Sequence, residues 1–150
     1  EDLGQSSTQV SNRQQIEKFH CSEAITAGAA VALDVSQPDN GLRSLVVAEA
    51  DATDYVIVGV YTGGDSAADA EADTDIDVVI RGIVEEALVD GSGSAITAGD
   101  ALFVGANGKL VSQEVDEDGS ADFFLKAPAA IAMEDASSDT TARVYVLKNF

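Results

Sequence analysis

The stretch AITAGAAV at residues 24–31 returns as AITAGDAL at residues 95–102, and this internal repeat decides how the chain is interpreted. Each copy runs into a short apolar segment, a turn rich in Asp, Asn and Gly, and a second apolar segment. Stacked solenoids need three or more units, whereas this chain has two. The repeat therefore predicts pseudo-symmetry within one β domain, whose half-repeats at about residues 24–84 and 95–147 pair into a small barrel or sandwich.

Short segments rich in Val and Ile alternate with Gly, Asp, Asn and Ser from residue 24 onward, which is typical of strands and turns. Asn107-Gly108, between two apolar runs, indicates a hairpin. We predict an all-β fold with at most one or two short helices, one of them around residues 66–72, where alanines favour helix. The predicted strands cover residues 30–34, 44–50, 55–62, 75–85, 101–104, 109–113, 129–134 and 142–147.

Residues 1–20 differ from the rest, because they are polar and rich in Gln and Ser. We predict that they form an extended N-terminal arm and that residues 21–150 form a single β domain. Ser11 and Gln14 fit a capping box, which predicts a helical turn or two over residues 11–19. Fully extended, the arm reaches about 60–70 Å, far enough to contact a neighbouring subunit. Its large apolar side chains either anchor a partner or pack locally; they are Leu3, Val10, Ile16 and Phe19.

Acidic residues dominate the composition: 27 Asp and Glu stand against 8 Lys and Arg, for a net charge of −19. Such a field repels phosphate backbones and anionic lipid surfaces, which predicts no nucleic-acid partner and no membrane partner. No run approaches the roughly 20 apolar residues of a membrane span. The excess of acid fits ordinary acidic solubility, a salt-rich habitat or a basic partner.

Residue types that carry catalysis or bind metals are few. The single cysteine excludes a disulfide framework and a multi-cysteine zinc site. It follows His20 directly, and adjacent residues on an extended chain point to opposite sides. Residues 73–77, DTDID, resemble the start of a calcium loop, but valines stand where an EF-hand needs its Gly and its Glu. The sequence therefore predicts no enzyme, no cofactor and no specific metal site.

Several motifs resemble those of the capsid cement, or head decoration, proteins of tailed bacteriophages. The run AITAGDALFV at residues 95–104, followed by GKLV at residues 108–111, is similar to that family's I-x-x-G-D segment and its G-K continuation. Further similar motifs are VGV at residues 58–60, VIRGIV at residues 79–84, AAIAME at residues 129–134 and TARVYVL at residues 141–147. The resemblance spans residues 24–148 and departs from the family at Ala130 and in the acidic insert at residues 63–75.

The resemblance implies a structural virion protein that binds the outer surface of an icosahedral phage head. Its expected partners are the major capsid protein and itself, most simply as a trimer at local threefold positions. It would clamp neighbouring capsid proteins together after assembly in the host cytoplasm, and the arm would contribute contacts. The alternative is another virion or surface structural component, such as a fibre, spike base, tail or surface-layer module.

Overall fold

The computed structural model describes residues 14–36, 45–54, 56–63, 68–112 and 127–148. Strands dominate these residues, and one short 3-10 turn lies at Ala106–Gly108. None of them belongs to a helix long and apolar enough to cross a membrane. The prediction of an all-β fold is confirmed. The strands are β1 Gln15–Cys21, β2 Ala30–Leu33, β3 Val46–Glu49, β4 Ile57–Tyr61, β5 Thr74–Asp90, β6 Ala101–Val104, β7 Leu110–Val111, β8 Ala130–Ala132 and β9 Asp139–Val146.

The strands close into two small barrels that share β5. In the first barrel the order β1-β3-β2-β4-β5 returns to β1, and in the second the order β5-β7-β6-β8-β9 returns to β5. Corresponding neighbours run in the same sense, since β1–β3 and β5–β7 are parallel and the other described pairs are antiparallel. The second half therefore repeats the connectivity of the first, as the sequence repeat predicts.

The repeated AITAG segment makes the same turn in both barrels. The backbone adopts a positive φ at Gly28 (+89°) and at Gly99 (+97°), a conformation that favours glycine. The isoleucine of each copy forms an isolated antiparallel bridge, Ile25 with Ala70 and Ile96 with Ala136. In each copy an alanine N–H donates to an aspartate carboxylate, from Ala27 to Asp69 at 2.9 Å and from Ala98 to Asp135 at 2.8 Å.

Two apolar clusters fill the fold, and β2 contributes to both. Val31 belongs to the interior of the first barrel, whereas Ala30 and Ala32 belong to the cluster that fills the second barrel and the contact between the two. Successive side chains of a strand point to opposite faces, so a strand packed on both sides is buried throughout. The small alanine side chains on the outer face let the second barrel approach closely.

The predicted hairpin at Asn107-Gly108 is confirmed and also joins the barrels. Asn107 (φ +57°) and Gly108 (φ +68°) both adopt the left-handed conformation that a tight hairpin turn requires. The N–H of Gly108 donates to the carbonyl of Ala50 in the first barrel at 2.7 Å. A Cβ on Gly108 would lie 2.8 Å from the Cβ of Ala29, so this contact depends on glycine.

The helix predicted over residues 11–19 is wrong in its described part, because β1 occupies it. Every residue of β1 pairs with β5, from Gln15 opposite Arg81 to Cys21 opposite Thr74. The antiparallel ladder pairs the backbone N–H and carbonyl groups of residues for which the capping signal predicts a helical turn. The boundary predicted between arm and domain, after residue 20, accordingly falls inside β1. The described residues 68–72 likewise hold no helical turn.

Strand β5 extends beyond its predicted end at residue 85, to Asp90. The register shifts between Val84 and Ala87, which marks a bulge. The bulge leaves both Glu85 and Glu86 exposed and returns the following apolar residues to the core. Two consecutive glutamates interrupt the apolar pattern, and for that reason the pattern predicts an end of the strand at residue 85.

Candidate partner-binding surface

The middle of β5 is the point where the two barrels meet. Residues 74–81 pair with β1, and residues from Gly82 onward pair with β9. Gly82 has a φ of +118°, and a Cβ there would lie 2.8 Å from the Cα of Gln14. The Gln14 side chain donates from Nε2 to the carbonyl of Ile83 at 2.5 Å. The start of β1 therefore crosses β5 at Gly82, where β9 ends.

The outer face of the β5–β9 pair presents two arginines in different settings. Ile83 and Tyr145 are direct partners across the pair. On one side of them, the Nε of Arg143 donates to the Glu85 carboxylate at 2.7 Å. On the other side, the Nε of Arg81 lies 3.4 Å from the Tyr145 hydroxyl oxygen. One arginine is thus neutralised by a carboxylate and the other contacts a neutral phenol.

An open pocket of about 450 Å³ lies at the Arg81 end of this face. We call it the seam pocket, and its lining residues are Arg81, Tyr145, Leu147 and Lys148. It combines two cationic side chains, one hydroxyl and one aliphatic side chain. Cationic side chains are few on this acidic protein, and two of its 8 Lys and Arg residues line this pocket.

Several cationic side chains outside the seam pocket form ion pairs, which Arg81 does not do with the described residues. Lys18 lies 3.3 Å from the Asp77 carboxylate, and Lys109 lies 2.5 Å from that of Asp139. The hydrogen bond to Asp139 raises the pKa of the Lys109 ammonium, and the hydrogen bond to Glu85 does the same for the Arg143 guanidinium. Among the described residues, Arg81 forms no such pair with a carboxylate.

The predicted contact residues lie in different environments. Leu3 and Val10 lie outside the described residues. Ile16 is 50 % exposed on β1, opposite Val79, and its contact role stays a prediction. Phe19 is 5 % exposed and packs in the first barrel, which is the local packing named as the alternative to a partner contact, because a strand in a closed barrel turns alternate residues inward.

A second surface feature is an apolar end of the first barrel. The N–H of Leu33 donates to the carbonyl of Val56 at 3.1 Å, and that of Asp34 donates to Val46 at 2.9 Å. The end of β2 and the starts of β3 and β4 therefore meet here. Three large apolar side chains are exposed at this end: Val35 at 84 %, Leu45 at 61 % and Val56 at 52 %.

The residues with catalytic chemistry take structural positions. His20 Nδ1 lies 3.0 Å from the Asp75 carboxylate on the neighbouring strand. Cys21 is fully buried, and its thiol donates to the carbonyl oxygens of Glu71 and Thr74 at 3.1 and 3.2 Å. The two side chains point to opposite sides of β1. Within the described residues, no group of three or more His, Cys, Asp or Glu side chains is arranged to hold a metal ion.

The sequence does not predict the seam pocket, because its residues are distant along the chain. Arg81 and Tyr145 are 64 positions apart and meet only because β5 and β9 pair. The one local signal is the alternation of Arg143, Tyr145 and Leu147, which puts these three on the same face of β9.

The comparisons with known proteins concern the fold. No protein-family model matches the sequence, and no curated protein matches it. The structure is similar to the N base of head fiber gp8.5 of bacteriophage phi29, with a TM-score of 0.57 and 16 % sequence identity. The match covers 91 % of this chain and 96 % of that chain. This chain therefore shares its fold, over nearly its whole length, with a structural base module of a phage head fibre.

Proposed function

We propose that this protein is a structural component of a tailed-phage virion that binds the outer surface of the head. The observation that carries the proposal is the fold shared with a phage head-fibre base over nearly the whole of both chains. The motif resemblance to capsid cement proteins points to the same surface by an independent route. Both lines lead to a head-bound structural protein and neither leads to an enzyme.

Within that function we propose the role of a capsid cement protein. It binds the major capsid protein as a homo-oligomer, most simply a trimer, and stabilises contacts between neighbouring capsid proteins. A continuous 17-residue strand spans both barrels, about 55 Å at the usual rise per residue. The barrels can be separated only by breaking the hydrogen bonds between β5 and its neighbouring strands. This arrangement is consistent with a protein that resists mechanical force on a capsid.

Closure of the barrels leaves each described strand with a neighbour on both sides over part of its length, and the residues paired in this way offer no edge for another chain to extend. These residues contact a partner through their side chains. With a net charge of −19, contact with a shell rests on apolar surface or on a basic strip of the partner. The apolar end of the first barrel, formed by Val35, Leu45 and Val56, supplies such a surface.

A second candidate role, the base of a head fibre, is favoured by the comparison itself. A cement protein covers the shell lattice and saturates in a fixed ratio to the major capsid protein. A fibre base occupies a subset of lattice positions and saturates at a much smaller ratio. The binding stoichiometry therefore distinguishes the two roles.

The test is co-sedimentation of the full chain with emptied, undecorated phage heads. Saturable binding in a fixed ratio supports the cement role, and saturable binding at a small fraction of lattice positions supports the fibre base. Absence of binding to any such shell contradicts both. A chain that lacks residues 1–13 measures the contribution of the predicted arm. This deletion ends before β1, whose loss would open the first barrel.

A further inference from the structure

The seam pocket has the composition of an anion site with an apolar margin. A guanidinium presents several N–H donors in a planar fork that matches a carboxylate, and an ammonium beside it adds a second positive charge. Arg81 and Lys148 provide these groups. The Tyr145 hydroxyl, 3.4 Å from the Arg81 Nε, is a further donor at the same place.

The two arginines of the β5–β9 face differ in their partners, and this difference supports an anion site at Arg81. Both are exposed and both lie on the outer face of the same strand pair. Arg143 already forms an ion pair with the Glu85 carboxylate. An arginine on this face therefore binds a carboxylate when one is within reach. Arg81 has only a phenol beside its Nε among the described residues.

The aliphatic side chain in the pocket restricts which anions would fit there. Leu147 is half-buried and lines the pocket next to Lys148. A ligand that fills the pocket therefore places an aliphatic group beside its charged group. A nucleic-acid phosphate does not meet this description, and the net charge of −19 opposes any extended polyanion. A single carboxylate on a peptide does meet it, because repulsion from acidic residues more than about 8 Å away is largely screened at physiological salt.

We infer that the seam pocket binds a carboxylate of a partner protein segment, with an apolar side chain next to that carboxylate. The Arg81 guanidinium and the Lys148 ammonium bind the carboxylate, the Tyr145 hydroxyl donates to it, and Leu147 contacts the neighbouring aliphatic group. This inference does not depend on whether the partner is a capsid shell, and its test uses no shell.

The experiment is an NMR titration of the isotope-labelled full chain with N-acetylleucine, which has a carboxylate and an aliphatic side chain. N-acetylleucinamide, which has the same side chain and no charge, is the control ligand at equal ionic strength. We expect saturable movement of the Arg81 Nε–H signal with the acid and none with the amide. Equal responses to the two ligands overturn the inference.

Matched variants locate the binding. Arg81→Gln should weaken the acid by about tenfold, the usual effect of losing a charge-assisted hydrogen bond. Arg143→Gln removes an arginine from the same face and should leave the affinity within about twofold. Tyr145→Phe keeps the ring and should weaken binding by a smaller factor. An unchanged affinity in Arg81→Gln, or an equal loss in Arg143→Gln, contradicts the assignment.

Discussion

Gly82 and Gln14 meet where the two barrels join, and a Cβ on Gly82 would lie 2.8 Å from the Gln14 Cα. The backbone of Gly82 also has a φ of +118°, which an L side chain rarely adopts. The crossing of β1 over β5 therefore depends on a residue without a side chain. Its position in β5 is also the one at which the partner strand changes from β1 to β9.

Replacing Gly82 by alanine should lower the free energy of unfolding by about 3 kcal/mol, because backbone strain and a backbone clash act together. Chemical denaturation measures the change. Gly99→Ala is the first control, since Gly99 has a φ of +97° and open space around it. It should cost about 1–2 kcal/mol.

Gly93→Ala is the second control for this series. Gly93 has neither a positive φ nor an atom within 4 Å of its missing Cβ, so the change should stay within about 0.5 kcal/mol. If Gly82→Ala and Gly99→Ala cost the same, the close approach of Gln14 contributes nothing to stability.

The shared strand predicts that both barrels unfold together. Ile25 and Ile96 hold equivalent positions in the two repeats, and both are buried. Ile25→Ala and Ile96→Ala should each cost about 2–5 kcal/mol, and each should shift one cooperative transition. Calorimetry with a second spectroscopic probe checks this point. The exposed Leu45→Ala should change little. Two separate transitions in either core variant would mean that the barrels unfold independently.

Acid should remove a small stabilising contribution at the end of β5. The Ser92 hydroxyl and then the Ser92 N–H donate to the Asp90 carboxylate at 2.5 and 2.9 Å and hold its pKa below the ordinary value of 3.8. A lowered folded-state pKa gives stability that is present above the unfolded pKa and is lost as pH falls through the folded pKa. The loss therefore occurs below about pH 4.

Ser92→Ala tests this relationship directly. It should raise the Asp90 pKa towards 3.8, as measured by carboxyl NMR titration, because the first and largest cause of the shift is the hydroxyl donor. Ser94→Ala is the control, since the Ser94 hydroxyl and carbonyl contact Ser112. An Asp90 pKa that stays the same in Ser92→Ala would assign the shift to the backbone donor and the nearby Lys109 charge.

The apolar end of the first barrel is expected to contribute to shell binding. Leu45→Gln removes an exposed aliphatic side chain without adding charge, and it should weaken co-sedimentation with emptied heads by about tenfold if Leu45 is buried on binding. Met133→Gln is the matched control, because Met133 is an exposed apolar residue of the second barrel. Equal behaviour of the two variants would remove the apolar end from the contact.

Local patterns in the sequence are sufficient to predict the class of fold. The strand predicted at residues 75–85, the turn at Asn107-Gly108 and the repeated AITAG segment each depend on neighbouring residues, and the structure has the predicted feature at each. These signals are short-range because strand period and turn conformation are properties of the local backbone. The internal repeat then implied that the two halves are built alike.

Tertiary structure alone decided how the halves are joined. No local pattern indicates that β5 serves both barrels, that residues 15–21 form its partner strand, or that Phe19 lies inside. The choice of a strand partner is made by burial between segments far apart in the chain, and it overrides a capping signal for a helix. The seam pocket has the same origin, since Arg81 and Tyr145 become neighbours only when β9 pairs with β5. The sequence by itself therefore determined the elements and their repetition, and long-range packing determined which elements meet and where a partner can bind.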